Sequence, residues 1–407
     1  MNRVEVDSQR AAPGMAALWA VPGYPSLAAA VLLLGLASSL AGPYMGLYGT
    51  NAVGMSPAAL GVYMTSLALS GIVSSTVLGG RSDLALDRRK LVLASMGMAA
   101  VGYVLLALLR SYVPALLAGA VFLGAGAAAF PQIFALAQAS FSGTEAGARG
   151  VTALRSVFSL AWVVGPGVGA LVLGSGNFLA LFGTAAGCFA LALWPVSRLP
   201  APKPRATRQA SITPGALIAI APRRSMNLVM AAFVLYGMAN SMASLSFPLL
   251  ITRVLHQPTS LVGLLIGFCA LLEIPVILAL ALMPRRASTE GLVIAAFGLF
   301  AAYGLIAATA TGAAPLLAGQ VVRAVVIAIA ATQGMAYFQE LMPSAVGRAT
   351  ALFANSSSAG GVLAGVVAGS FAQGFGFQNV FWLCAAASVL ASGLLALAAR
   401  NARARGG

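Results

Sequence analysis

Twelve stretches of almost uncharged, apolar residues divide this chain, and they limit what it can fold into more than any other feature. They occupy residues 27–48, 58–78, 91–109, 113–137, 151–174, 178–196, 228–250, 261–283, 292–310, 315–338, 349–371 and 380–399. A helix needs about 20 apolar residues to cross the hydrocarbon core of a bilayer. A soluble domain usually carries about 25% charged residues. Here 8% of 407 residues are charged and 60% are hydrophobic. That little charge cannot cover the surface of a soluble protein of this length. The expected fold is an all-α membrane protein with twelve transmembrane helices.

The connectors alternate in charge. One set holds 19 of the 23 lysines and arginines, among them Arg3, Arg10, Arg81, Arg88, Arg89, Lys90, Arg149, Arg198, Arg224, Arg348 and Arg400. The other set holds Arg110 and Arg253, and the remaining two, Arg155 and Arg323, lie inside spans. Lysine and arginine mark cytoplasmic loops. Both termini are therefore expected in the cytoplasm, and a miscount of one span would destroy the alternation. The formal net charge of +15 thus reads as membrane orientation, not as nucleic-acid binding.

A long basic, proline-rich connector splits the twelve spans into six and six. The expected domains are residues 1–197, a cytoplasmic linker over 198–226, and residues 227–407. The halves echo one another. "SPAAL" at Ser56 and "QPTSL" at Gln257 each precede the second span of their half, and "TAL" follows Arg149 at Thr152 and Arg348 at Thr350. Parallel repeats about an axis along the membrane normal are the layout of a rocking transporter, two pseudo-symmetric six-helix bundles.

Several chemistries are not provided for. Cys188, Cys269 and Cys384 lie in apolar runs without metal-ligand spacing, and His256 is the one histidine. No metal site and no cofactor are expected. A membrane-embedded enzyme would need a cluster such as paired carboxylates, and one acid, Glu273, lies well inside a span. A passive channel or receptor would need neither repeated halves nor a gate.

The loop after the second span, "GGRSDLALDRRK" from Gly79 to Lys90, holds two of the chain's eight acids and four of its basic residues. It resembles the loop signature of the major facilitator superfamily, in which a glycine precedes an aspartate by four residues and a basic triplet follows. Gly79, Asp83 and Arg88-Arg89-Lys90 fill those positions, while Leu84 and Leu86 depart from the pattern. A carboxylate at Asp83 could bond to the N-terminus of span eleven, near Arg348, where free N–H groups carry partial positive charge. Such a contact would clamp the two halves shut on the cytoplasmic side, so Gly79, Asp83, Arg88 and Arg89 are gating candidates. The alternative for the basic triplet is a solvated loop that sets orientation.

In span five, Gly165-Pro166-Gly167 with Gly169 resembles the glycine-proline motif of efflux members of the superfamily. Small residues let helix backbones approach and proline bends a helix, so Gly165, Pro166 and Gly169 are expected to serve packing. Longer segments are similar to the bacterial sugar efflux transporter family: "FPQIFALAQ" from Phe130, "SLAWVVGP" from Ser159, "LEIPVIL" from Leu272, and "FQELMPSAVGRATALFANSSSAGGVLAGVVAG" from Phe338. The resemblance runs from the first span to the twelfth. It implies a proton-driven exporter of sugars or glycosides in the bacterial inner membrane.

Ionisable groups at membrane depth are functional candidates. Glu273 lies about eleven residues, about 16 Å, from the cytoplasmic end of its span at 1.5 Å per residue. A carboxyl in an apolar setting can load and release a proton as access alternates, and proton coupling is the role expected of Glu273. It could instead accept from substrate hydroxyls or pair with an arginine. Arg323 sits near the midplane, where it could satisfy Glu273 or hold a substrate oxygen. Arg155, near a span end, could snorkel, and it shares a helical stripe with Trp162. Tyr236 and Asn240 share a face of span seven, and Tyr44 and Tyr48 a face of span one. With Gln132, Gln333 and Asn355 these residues offer amides, hydroxyls and an aromatic face, the lining an uncharged polyhydroxylated ligand would want. For each of them a helix–helix hydrogen bond is the alternative. The expected partners are a sugar or glycoside, protons and membrane lipid, with no nucleic acid. No sign of an oligomer is present, and a monomer is expected. The alternative function is a multidrug/proton antiporter of the same fold, whose cavity would be richer in aromatic residues and methionine.

Overall fold

The computed structural model describes residues 18–19, 21–82, 87–141, 146–175, 177–199, 224–282, 288–343 and 345–403. Among them are twelve helices long and apolar enough to cross a membrane. They are α1 (Tyr24–Ala52), α2 (Pro57–Leu78), α3 (Arg88–Leu108), α4 (Tyr112–Phe141), α5 (Arg149–Gly174), α6 (Phe178–Ser197), α7 (Met226–Val254), α8 (Thr259–Leu282), α9 (Thr289–Ala308), α10 (Ala313–Leu341), α11 (Val346–Phe375) and α12 (Val380–Asn401). No strand occurs among the described residues. In lipid every backbone polar group must be satisfied internally, so each apolar run closes its hydrogen bonds as a helix. Polar side chains then mark helix starts. Asp87 accepts from Arg89 N at 3.0 Å to open α3, Asn177 from Leu179 N at 2.8 Å to open α6, and Ser288 from Gly291 N at 3.1 Å to open α9.

The helices form two six-helix bundles with one packing pattern. In the first, α1 packs on α5 and α6, and α3 on α6. In the second, α7 packs on α11 and α12, and α9 on α12. The correspondence extends to backbone detail. A π-turn at Tyr48–Ala52 ends α1, and another at Leu250–Val254 ends α7. Beyond the first, Met55 N donates to Gly49 O at 2.8 Å. Beyond the second, Gln257 N donates to Ile251 O, also at 2.8 Å.

Three seams join the bundles, and all lie in the half of the molecule away from the arginine-rich helix ends. Along α2 and α11, Gly61 lies against Gly365 and Gly369. A Cβ on Gly365 would stand 2.7 Å from both Gly61 O and Thr65 N. Beside these glycines, Thr65 Oγ1 donates to Val362 O at 2.9 Å and accepts from Val366 N at 3.0 Å. Along α5 and α8, Gly263 packs on Pro166 and Gly167, and a Cβ on Gly267 would stand 2.7 Å from Val163 O. Where α1 and α7 end, Arg253 donates to Asn51 Oδ1 through Nε at 3.1 Å and Nη2 at 2.6 Å. Asn51 and Arg253 stand 202 positions apart, at matching places in the two π-turns.

Candidate functional site

The α2–α11 seam gives way to open space toward the arginine-rich end. One and two turns beyond Thr65, at Ala68 and Ile72, a cavity of about 540 Å³ opens between α2, α7, α10 and α11. A second space of about 320 Å³ shares Ala68, Ile72 and Ser358 with it and reaches Ser75, Thr76 and Asn355, nearer the arginine-rich end. The bundles therefore touch at one end and part toward the other.

The polar wall is built mostly by the second bundle. Asn240 and Ser241 on α7 and Ser357 and Ser358 on α11 line the larger cavity, and none of its described lining residues is charged. Asn240 Oδ1 has no hydrogen-bond partner. Tyr236 lines the same wall, and its ring stacks on Phe297 at 4.3 Å and 10° between planes. Phe233 and Phe353, 5.8 Å apart between ring centroids, complete an aromatic face. Buried aromatics from α9 and α10 fix both rings, since Phe233 meets Phe297 at 5.0 Å and Phe338 at 4.9 Å.

One turn from this wall, away from the opening, lie two ionisable residues that do not touch. Arg323 on α10 is 8% exposed, and its Nη2 donates to Ser244 Oγ at 2.6 Å. Its guanidinium lies 5.5 Å from the centroid of the Tyr303 ring. Glu273 on α8 is half-buried, and its Oε1 accepts from Cys269 Sγ at 3.8 Å. The one ion pair among the described residues, Arg403 to Glu290 at 3.0 Å, lies elsewhere, at the arginine-rich end.

Other candidate residues fall in different places. Tyr44 and Tyr48 do not face the cavity, contrary to expectation. Tyr44 is fully buried and donates to Pro166 O, and Tyr48 donates to Leu109 O at 2.9 Å among Phe178 and Phe182. Their shared helical face turns into the first bundle, where each hydroxyl finds a backbone carbonyl. Gln132 is buried on α4 with Oε1 unpartnered. Trp162 and Gln333 are half-buried on α5 and α10. Asn355 is exposed and lines the outer space. Arg155 is exposed and lies 5.9 Å from the Phe134 ring centroid, within its own bundle.

Among the gating candidates, Asp83 lies outside the described residues. Gly79 belongs to the helix that α2 continues, Pro57–Ser82, and Arg88 opens α3. Arg89 donates to Leu199 O at 2.7 Å and Ser197 O at 3.2 Å, which ties α3 to the end of α6 in the same bundle. Gly165 and Gly169 sit where α5 crosses α1. A Cβ on the first would overlap Ser39 Oγ, and one on the second would overlap Leu40 O. Sequence reasoning missed Phe233, Phe353, Ser241, Ser357 and Ser358. A small hydroxyl or an aromatic ring in an apolar run carries no mark of the direction it faces.

Comparison with known proteins places this architecture. The family model described as Major Facilitator Superfamily matches residues 27–319. A putative sugar efflux transporter of Deinococcus radiodurans is 44% identical over 385 residues, covering 94% of this chain and 99% of that protein. Sugar efflux transporter A of Escherichia coli K12 is 35% identical over 376 residues, covering 90% and 94%. Sugar efflux transporter B of Salmonella typhimurium LT2 is 34% identical over 364 residues, covering 86% and 89%. Among solved structures, a mutant of the nucleoside transporter NupG superposes with a TM-score of 0.82 at 14% identity, over 92% of this chain and 99% of that one.

Proposed function

Since the chain belongs to the major facilitator superfamily, and within it to the bacterial sugar efflux transporters, we propose that this membrane transporter exports sugars or glycosides from the cytoplasm in exchange for protons. The observation that carries the substrate reading is the cavity wall. Asn240, Ser241, Ser357 and Ser358 offer amide and hydroxyl groups beside the faces of Tyr236, Phe233 and Phe353, with no charge among them. Sugars present hydroxyls at their rims and C–H faces that stack on aromatic rings. A cationic drug would call for an acid in the wall, and Glu273 is not part of it. The relatives' names point the same way.

By the positive-inside rule both termini are cytoplasmic, and the cavity opens inward. The protein lies in the cytoplasmic membrane, takes sugar and protons as partners, and works as a monomer. The bundles, 1–197 and 227–407 joined by the linker 198–226, rock against each other. The glycine seams part to release sugar outside, and Asp83 with the start of α11 closes the inner side. Glu273, the acid well inside a span, carries the proton and links its movement to that of the sugar.

The test is transport in reconstituted vesicles. Wild-type protein under an imposed pH gradient should move labelled disaccharides and glycosides against their gradient and leave cationic dyes behind. Glu273→Gln should lose the gradient-driven movement and keep sugar-for-sugar exchange. Dye transport without sugar transport overturns the substrate reading. Intact gradient-driven pumping by Glu273→Gln overturns the proton reading.

A further inference from the structure

Arg323 presents an unsolved problem of charge. A buried guanidinium is costly unless something accepts its donors. Its one hydrogen-bond acceptor here is a neutral hydroxyl, Ser244 Oγ at 2.6 Å, and its Nε has no partner. Glu273, on the adjacent helix α8, also rests on a neutral partner, Cys269 Sγ at 3.8 Å. A cation and a carboxyl group on neighbouring helices, each held by a neutral group, fit a pair whose acid carries its proton. An ionised carboxylate at this depth would draw the guanidinium to itself, because the attraction between them is far stronger than in water.

Ser244 stands between this pair and the cavity. Its hydroxyl accepts from Arg323 and donates to Asn240 O at 2.8 Å, one helical turn back along α7. Asn240 is the wall residue with the unpartnered amide oxygen. An unbroken chain of hydrogen bonds thus runs from the backbone of the cavity wall to the cation. A serine oxygen is a weaker acceptor for a guanidinium than a carboxylate, so it can hold Arg323 while the acid is neutral and yield it when the acid ionises.

We propose that Ser244 is the positioning residue of the coupling step: it holds Arg323 apart from Glu273 while Glu273 carries its proton, and surrenders Arg323 to the carboxylate when the proton leaves. The inference rests on the reading of Glu273 as the proton carrier. The guanidinium stays protonated throughout, Ser244 keeps its own proton, and the proton that leaves Glu273 passes to water. The other titratable groups around the pair are Tyr236 on α7, Cys269 on α8, Tyr303 on α9 and Cys384 on α12. On α5, packed against α8, the charged residues are Arg149 and Arg155, and Arg155 lies on Phe134 in its own bundle. Tyrosine and cysteine side chains ordinarily ionise above neutral pH, and Glu273 is the one carboxyl group of the set.

The experiment measures gradient-driven sugar transport by reconstituted protein across a range of pH. Without the hydroxyl, Arg323 loses its one protein acceptor while Glu273 remains the one carboxylate acting on it, and the paired state forms too readily. For Ser244→Ala, the pH of half-maximal transport should therefore move at least one unit toward acid, a tenfold change in proton concentration. The KM for sugar should stay within about threefold, because the Asn240 side chain is untouched. Ser244→Thr, which keeps the hydroxyl, should restore the wild-type profile. Ser244→Cys, whose thiol accepts poorly, should shift it in the same direction as alanine and serves if the alanine variant does not fold. A merely structural serine would lower the maximum rate and leave the midpoint in place. An unmoved midpoint in both the alanine and cysteine variants overturns the proposal. If Glu273→Gln abolishes pumping in the same preparation, that result sinks Ser244 alone; if Glu273→Gln still pumps, the underlying reading of the acid fails first.

Discussion

On the proposed reading, in which the cavity opens toward the cytoplasm and the bundles rock, replacing Gly365 with alanine should raise the population of the state open on the opposite side. The added Cβ would lie 2.7 Å from Gly61 O and from Thr65 N. Both are backbone atoms of α2, which cannot swing aside as a flexible side-chain end would. Relief requires α2 and α11 to separate, which also stretches the bonds of Thr65 to Val362 and Val366. Overpacking of this kind costs typically about 1–3 kcal/mol. The penalty falls only on the state in which the seam is closed, since parted helices have room for a methyl group. Alanine's gain in helix propensity over glycine is common to both states and cancels. At 1.4 kcal/mol per factor of ten, the outward-open population should rise roughly 5-fold to 140-fold. The assay places a cysteine at Asn240 in a background lacking Cys188, Cys269 and Cys384, and applies a membrane-impermeant maleimide from outside. While the outward state is a minor one, the labelling rate is proportional to its population. Gly374 lies on the same helix with no atom within 4 Å of its would-be Cβ, so Gly374→Ala is the control and should label at the parental rate. An outside rate in Gly365→Ala equal to that of the control would refute the claim that this seam holds the outer side shut.

Two smaller perturbations test neighbouring parts of the account. Arg253→Ala removes both bonds to Asn51. These are exposed, so about 1 kcal/mol is lost and outside labelling should rise about fivefold, multiplying with Gly365→Ala if the two contacts act independently. Asn240→Ala removes the free amide from the wall; loss of one neutral hydrogen bond to sugar, about 0.5–1.5 kcal/mol, should raise the KM for sugar about 2-fold to 13-fold, read from initial rates in vesicles, with the pH dependence of transport unchanged.

Most of the fold was legible because the bilayer imposes a length and a polarity that composition cannot hide. Each of the twelve apolar runs falls on one of the twelve helices. The paired "SPAAL" and "QPTSL" stand where α2 and α8 begin, each with its proline within two residues of the helix start. Helix ends were less visible, since hydropathy marks the hydrocarbon zone while the helix runs on to its cap, as α3 does back to Asp87. The site was legible only where a side chain was out of place in lipid. Asn240, Glu273 and Arg323 drew attention because burial of such groups demands a reason. Phe233 and Phe353 did not, because a ring facing a cavity and a ring facing lipid look alike in a one-dimensional string. Tyr44 and Tyr48 misled for the converse reason: spacing of four places two hydroxyls on one face without saying which neighbour that face meets. The seam glycines, Gly61, Gly365 and Gly263, were hidden by their abundance, with 46 glycines in the chain.

The meeting of Asn51 with Arg253 carries a consequence for how such a chain could arise from a single half-length ancestor. Two copies of one half, assembled about their common axis, would bring this position face to face with itself. Two asparagines can exchange donor and acceptor across an axis, since each amide offers both, whereas two arginines repel. An ancestor closed by an asparagine pair would assemble from identical halves, and arginine could enter only after fusion let the two copies differ. A severed first half co-expressed with an identical partner should therefore tolerate Asn51 and reject Asn51→Arg.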